Sequence, residues 1–302
     1  MIRLQSDILS LDIIDPRDEK DRGKLGSRYC AGCYIWQIYD ISTNQPLLSG
    51  PHYPSAAPPV FDGQGMPDMF ETPLGGEDCA IGGQVCVIGV GLVEKSSGVV
   101  PFHPRNNPRV TQFCPWQVDT GGDWAIMTTE QRIGGRSITL RREVRLDGGR
   151  VEIANTVANV GQETVNLRWF SHPFFPINND FTCGRIIPTA SMPDNAGYEL
   201  VGDGEIRMKP GYLWERGLFQ VLYVPMAKLR FVVPHHIVGS VDFKTDYDVV
   251  RCAVWGNSRT FSFEPFMQRA LAPGEEASWG VCAEFGADSL ISDHPFSSDA
   301  TI

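Results

Sequence analysis

No apolar run in this chain of 302 residues is longer than nine, from Val85 to Val93 with two glycines inside it. A membrane-spanning helix needs about 20, so no membrane segment is expected. Basic blocks are missing too: 26 Lys and Arg stand against 36 Asp and Glu, for a formal net charge of −10. A nucleic-acid partner needs a positive surface and is disfavoured. The opening segment, MIRLQSDILSLDIIDPRDEK, carries acids inside its weak apolar stretch and lacks the cationic and small-residue regions of a signal peptide, so a cytoplasmic protein is expected. Absent as well are GxGxxG between strand and helix, GxxxxGK[ST], HExxH and GxSxG, which removes the common nucleotide, zinc-protease and hydrolase signatures. No repeat of fixed period is present, which leaves propellers and solenoids without support. The eight cysteines (Cys30, Cys33, Cys79, Cys86, Cys114, Cys183, Cys252, Cys282) lack the close spacing of a disulfide-stapled domain. Reduced thiols follow, with the lone CxxC, Cys30 to Cys33, read as two partly buried thiols on a strand edge.

Helical periodicity is also scarce. From residue 83 onward, apolar residues instead alternate with polar ones in short runs separated by turn residues. Val151, Ile153 and Val157 share one face of such a run, and Asp147-Gly148-Gly149 before it is a hairpin signal. Further strands are expected at 110–118, 124–132, 137–146, 164–170, 219–223, 229–233, 249–255, 259–263 and 277–285. So many antiparallel strands without intervening helices predict a mainly β fold, a large two-sheet sandwich, in one domain over 1–302. Residues 49–76, rich in Pro and Gly, read as a long irregular excursion with apolar anchors such as Phe61, Met66, Met69 and Phe70. The alternating charges from Asp15 to Arg22 read as a solvated loop, and 287–302 as a polar tail.

Two constellations carry chemistry. His172 ends an aromatic strand, within Trp169-Phe170-Ser171-His172-Pro173-Phe174-Phe175, where ring faces and a placed imidazole suit a sugar. The bland alternative is a hydrogen-bonded histidine at a sheet edge. Glu264 follows the apolar Phe261-Ser262-Phe263 and precedes Pro265, which is expected to stop the strand. A carboxylate there is partly desolvated, which raises its pKa toward that of a useful base. His235 and His236, adjacent on a strand, are expected to point to opposite faces. No metal site is called for, since none of the six histidines pairs as HxH.

Asn155-Thr156-Val157-Ala158-Asn159-Val160-Gly161, then His172-Pro173-Phe174-Phe175, then Phe263-Glu264-Pro265 with Leu271-Ala272-Pro273-Gly274-Glu275, resemble the aldose 1-epimerase (galactose mutarotase-like) family in order and rough spacing. The resemblance covers about residues 83–286. It implies a β-supersandwich that interconverts the α and β anomers of a free sugar with no metal or organic cofactor, Glu264 serving as general base and His172 as general acid. The family's earlier "HG" histidine and "N-R-x-x" arginine do not stand here in recognisable form; His103 lies at roughly the place of the first. Phe170, two residues from His172 on the same strand face, and Phe175, beyond Pro173, are the aromatic candidates for sugar contact, together with His103. Lys95 and Arg105 could meet a carboxylate or phosphate on an acidic sugar, as could Arg109. A carbohydrate-binding or sensing protein without catalysis, and a sugar lyase or hydrolase on the same scaffold, remain the alternatives.

Overall fold

The computed structural model describes residues 1–286; the polar stretch 287–302 falls outside the described residues. Among the described residues, two large antiparallel sheets and two small ones make up the fold. The larger sheet has ten strands, in spatial order Tyr198–Val201, Glu205–Met208, Thr182–Ile187, Arg230–His235, Gly239–Thr245, Glu276–Phe285, Arg150–Asn159, Arg136–Asp147, Trp124–Ile133 and Gln117–Thr120. The smaller large sheet runs Leu218–Leu222, Arg251–Gly256, Thr260–Leu271, Val165–Ser171 and Asp68–Phe70, with Phe175–Pro176 also paired onto Thr260–Leu271. The hairpin expected at Asp147 forms: Asp147 pairs with Arg150, and Gly148 takes a φ of 52°, a conformation that costs glycine little.

The sandwich core follows from alternation on both sheets. Phe261 and Phe263 point inward from Thr260–Leu271, and Phe263 meets Phe231 of the ten-stranded sheet with ring centroids 5.1 Å apart. Trp169, fully buried, packs edge-on to Trp279 at 5.7 Å across the same interface. Each such side chain contributes about 1.5–3 kcal/mol on burial. One polar element crosses this core. Arg142, fully buried, forks onto Asp68, donates to the Gly32 carbonyl at 2.7 Å and donates to Asn155 Oδ1 at 2.8 Å. Four of its five donors are used, and all three nitrogens are bonded, which is the condition under which a buried guanidinium is tolerated.

Several expectations are corrected here. Residues 2–46 form a four-stranded sheet of their own, and the 49–76 excursion contains the edge strand Asp68–Phe70. The excursion is stitched in by backbone: His172 N donates to Pro67 O and Phe174 N to Gly65 O, both at 2.8 Å. Pro265 does not stop its strand, which runs on to Leu271. It falls in the stretch opposite residues 171–174, where the neighbouring chain has left the ladder, so a residue without an N–H is accommodated. The CxxC thiols are buried outright in a turn, Cys33 with a φ of 54°, rather than lying on a strand edge. The charged run from Asp15 holds a short helix, Glu19–Arg22, capped by Asp18, with Asp21 buried and bonded by Lys24. His235 and His236 stack at 5.0 Å, because the strand ends at His235 and alternation ends with it.

Candidate active site

The register of two central strands brings the chemistry together. In the pairing of Val165–Ser171 with Thr260–Leu271, Phe170 lies opposite Phe266, so both side chains project from the same face, away from the sandwich core. Two residues further along that face in each chain stand His172 and Glu264. They meet although 92 positions of sequence separate them: His172 Nε2 lies 3.4 Å from Glu264 Oε1. The Phe170 and Phe266 rings stack beside them at 4.5 Å. Phe170, His172 and Glu264, three of the residues singled out in the sequence, thus share one place.

Aromatic walls make this place dry. The imidazole has Phe174 at 4.4 Å, Phe170 at 5.8 Å, and Tyr29 and Trp255 edge-on at 6.1 Å each. His172 is 2% and Glu264 5% exposed. Neither is fully satisfied. His172 Nδ1 has no hydrogen-bond partner, and among the described residues no hydrogen bond reaches the Glu264 carboxylate. A buried carboxylate without donors disfavours its charged form, and burial raises the Glu264 pKa to about 7; the negative charge of Glu71 adds to this while Arg28 and Arg251 oppose it. Burial, then the Arg28 charge, hold the His172 imidazolium well below the ordinary histidine range. The arrangement is therefore a neutral imidazole against a carboxyl group poised to gain or lose a proton near neutral pH.

The other expected residues lie elsewhere. Phe175 turns into the sandwich core, its ring 5.8 Å from Phe261, and is not a groove residue. Phe174 takes the place beside His172, because alternation carries on across Pro173: Phe175 pairs with Phe261 in the register that sets Phe170 opposite Phe266, so Phe170, His172 and Phe174 share a face. Lys95 donates to the carbonyls of Gly76 and Cys79, which pins a loop. With His103, Glu71 and Arg168 it lines a neighbouring cavity of about 430 Å³ that abuts Met69, the register partner of Phe170. His103 caps a short 3₁₀ turn through Nδ1, and Arg105 lays its guanidinium over Phe61 at 4.9 Å. Arg109 is tied to Glu94. None of these four touches the His172–Glu264 pair.

Sequence reasoning missed Arg28, Tyr29, Arg251 and Trp255. Arg251 and Trp255 were within reach, since the strand Arg251–Gly256 pairs Arg251 with Phe266 and Trp255 with Ser262, all on the Glu264 face. Arg28 and Tyr29 precede any strand aligned with the site, and no local pattern marks them.

No protein-family model matches this sequence, and no curated protein does. Solved structures match the fold. A galactose mutarotase related enzyme from Lactobacillus acidophilus superposes with a TM-score of 0.59 at 11% identity, over 95% of this chain and 97% of its own. A galactose mutarotase-like protein from Lactobacillus casei gives 0.52 at 13% identity, over 94% and 99%. A protein put forward as an aldose 1-epimerase, from Escherichia coli K12, gives 0.55 at 15% identity, over 93% and 97%. At these identities the likeness is one of fold: the chain has the galactose mutarotase-like fold in a sequence far from those relatives.

Proposed function

We propose that this chain is an aldose 1-epimerase-like isomerase, which opens and recloses the ring of a free sugar or sugar derivative by acid and base transfer between Glu264 and His172. The observation that carries the reading is the pair itself: a carboxyl and an imidazole 3.4 Å apart, buried among aromatic rings, with hydrogen-bonding capacity left over. Buried polar groups are ordinarily satisfied, and those that are not point to a partner that arrives.

Ring opening takes one proton from the anomeric hydroxyl and gives one to the ring oxygen. The electrons of the O1–H bond become the C1=O1 bond, and those of the C1–O5 bond stay on O5, which is protonated. The pair must therefore hold one proton and have room for one. In the free protein, burial keeps that proton on Glu264 and leaves His172 neutral. Sugar hydroxyls supply the donors the carboxylate lacks, which favours the charged arrangement, with the proton on His172 and Glu264 free to act as base. Rotation about C1–C2 and the reverse transfers complete the exchange. Every proton moved is held by these two side chains, so this chemistry calls for no cofactor. Aromatic faces around the pair suit the apolar C–H faces of a pyranose.

Anomer exchange measured by proton NMR, on a panel of neutral, phosphorylated and acidic aldoses, tests the reading. Acceleration of at least one sugar by the protein supports it. Saturable binding with no acceleration would replace it with a binding protein, and a new product signal would replace it with another reaction in the same groove.

A further inference from the structure

Most arginines of this acidic chain find a carboxylate: Arg3 with Asp12, Arg17 with Asp15, Arg109 with Glu94, Arg136 with Glu163, Arg142 with Asp68. Arg251, over Phe266 on the Glu264 side of the pair, does not, and neither do three cationic or basic side chains that cluster around Phe61 with Arg28 nearest the pair. Arg28, half-buried, holds its guanidinium 4.5 Å from the ring centroids of both Tyr29 and Phe61. Arg105 stands 4.9 Å from that same Phe61 ring, and the His103 ring lies 6.2 Å from it. Among the described residues none of the three has a carboxylate partner; the nearby acid Asp62 is engaged by His52 at 3.0 Å. Arg28 donates one bond, to the Phe61 carbonyl at 3.3 Å, which leaves most of its five donors open.

A second observation sets where this cluster points. Tyr29, under the Arg28 guanidinium, is also edge-on to His172 at 6.1 Å. Arg28 thus adjoins the pair through Tyr29, which lies against His172, and the Arg28 charge reaches both His172 and Glu264. In the proposed reaction His172 serves the ring oxygen. The carbon bonded to that oxygen on the side away from C1 is C5, and C5 carries C6. An anionic group at C6 would therefore fall next to the group that addresses O5.

From this the geometry points to a substrate with an anion at C6, a hexose 6-phosphate or a uronate, held by Arg28 with Arg105 and His103 alongside. Phosphate and carboxylate share the chemistry that matters, oxygen acceptors matched to a guanidinium fork. The two aromatic faces hold Arg28 in place before the anion arrives, which reduces the ordering cost of binding. This inference rests on the epimerase reading for the placement of C6, and on the unpaired cations alone for the anion.

The test has two arms on the full chain. In the first, anomer exchange is followed for glucose, galactose and mannose, each beside its 6-phosphate and its uronate, with the wild type, Arg28→Met and Arg109→Ala. The expected result is a kcat/KM about tenfold or more higher for an anionic form than for its neutral parent, a preference that Arg28→Met abolishes and Arg109→Ala keeps. Phosphate and uronate separate as the two sources of the anion. The second arm measures binding of inorganic phosphate by calorimetry, with the same variants and without any reaction. Phosphate binding weakened about tenfold or more by Arg28→Met supports the anion site even if no sugar is turned over, in which case the epimerase reading alone falls. A neutral sugar turned over as well as its anionic forms, with that ratio unmoved in Arg28→Met, overturns the inference and leaves the epimerase reading standing. Absence of both phosphate binding and anionic preference overturns it as well.

Discussion

Replacing Glu264 by glutamine should make this protein more stable, by an amount that grows with pH. The carboxyl group titrates near 4.5 when solvated and near about 7 when buried at the site. Between those values the folded chain holds a proton that the unfolded chain has given up. The folded pKa is the raised one, so stability is lost as pH rises through the window from 4.5 to about 7, and the whole cost is present above it. At about 1.4 kcal/mol per tenfold, the gap corresponds to about 3 kcal/mol at alkaline pH, most of which develops between pH 5 and pH 8. Glutamine keeps the shape and never ionises, so the variant is spared this cost. Urea unfolding of the wild type and Glu264→Gln at pH 5 and pH 8 gives four free energies. The difference between variant and wild type should widen by about 2–3 kcal/mol from the lower to the higher pH, while titrations shared by both proteins cancel. A difference that stays constant, or that shrinks with pH, would refute the claim that Glu264 is held protonated by its surroundings. A stabilised protein that has lost its activity would mark Glu264 as a residue kept for chemistry at the expense of the fold.

The same electrostatics shape the rate. The proposed cycle needs one proton on the Glu264–His172 pair, so kcat/KM should fall as pH rises through about 7, where that proton is lost, and fall again in acid, where His172 gains a second; a profile flat from pH 6 to 9 would contradict this. Arg142→Met should destabilise the fold by about 3–5 kcal/mol in urea titrations, because it leaves the buried Asp68 carboxyl without its partner in the core, and Asp68→Asn in the same chain should recover part of the loss. Six of the eight free cysteines are buried, and burial pushes even the half-buried Cys114 thiol up to about 12, so at most two thiols should react promptly with a thiol reagent in the native protein and all eight after denaturation.

Legibility of the fold tracked the regularity of alternation. Arg136–Asp147 and Arg150–Asn159 are long, the second strictly alternating, and joined by Gly148-Gly149, and they pair as the hairpin signal predicts. Leu9-Ser10-Leu11-Asp12-Ile13 carries the same period in the structure, yet it is short and set among charges, where so brief a run is weak evidence of a strand. Proline misled twice, in the same sense. Pro265 sits within a strand because its neighbour has left the ladder there, a fact about another segment of chain, and Pro173 leaves the alternation intact, so Phe174 is the groove residue and Phe175 the core residue. At the site, His172 and Glu264 were legible because each closes a conspicuous aromatic run. Arg28 was not, since what gives it meaning is its position between Tyr29 and Phe61 and beside His172, a juxtaposition made entirely by tertiary structure.

The most direct measurement is the rate of anomer exchange, by proton NMR at equilibrium, for the wild type, Glu264→Gln, His172→Asn and the double variant on the best sugar of the panel. If the two side chains act as one acid–base unit, each single change should cost about 10²–10⁴-fold, and the double variant should be little worse than the poorer single. Folded single variants that exchange anomers as fast as the wild type would contradict the account.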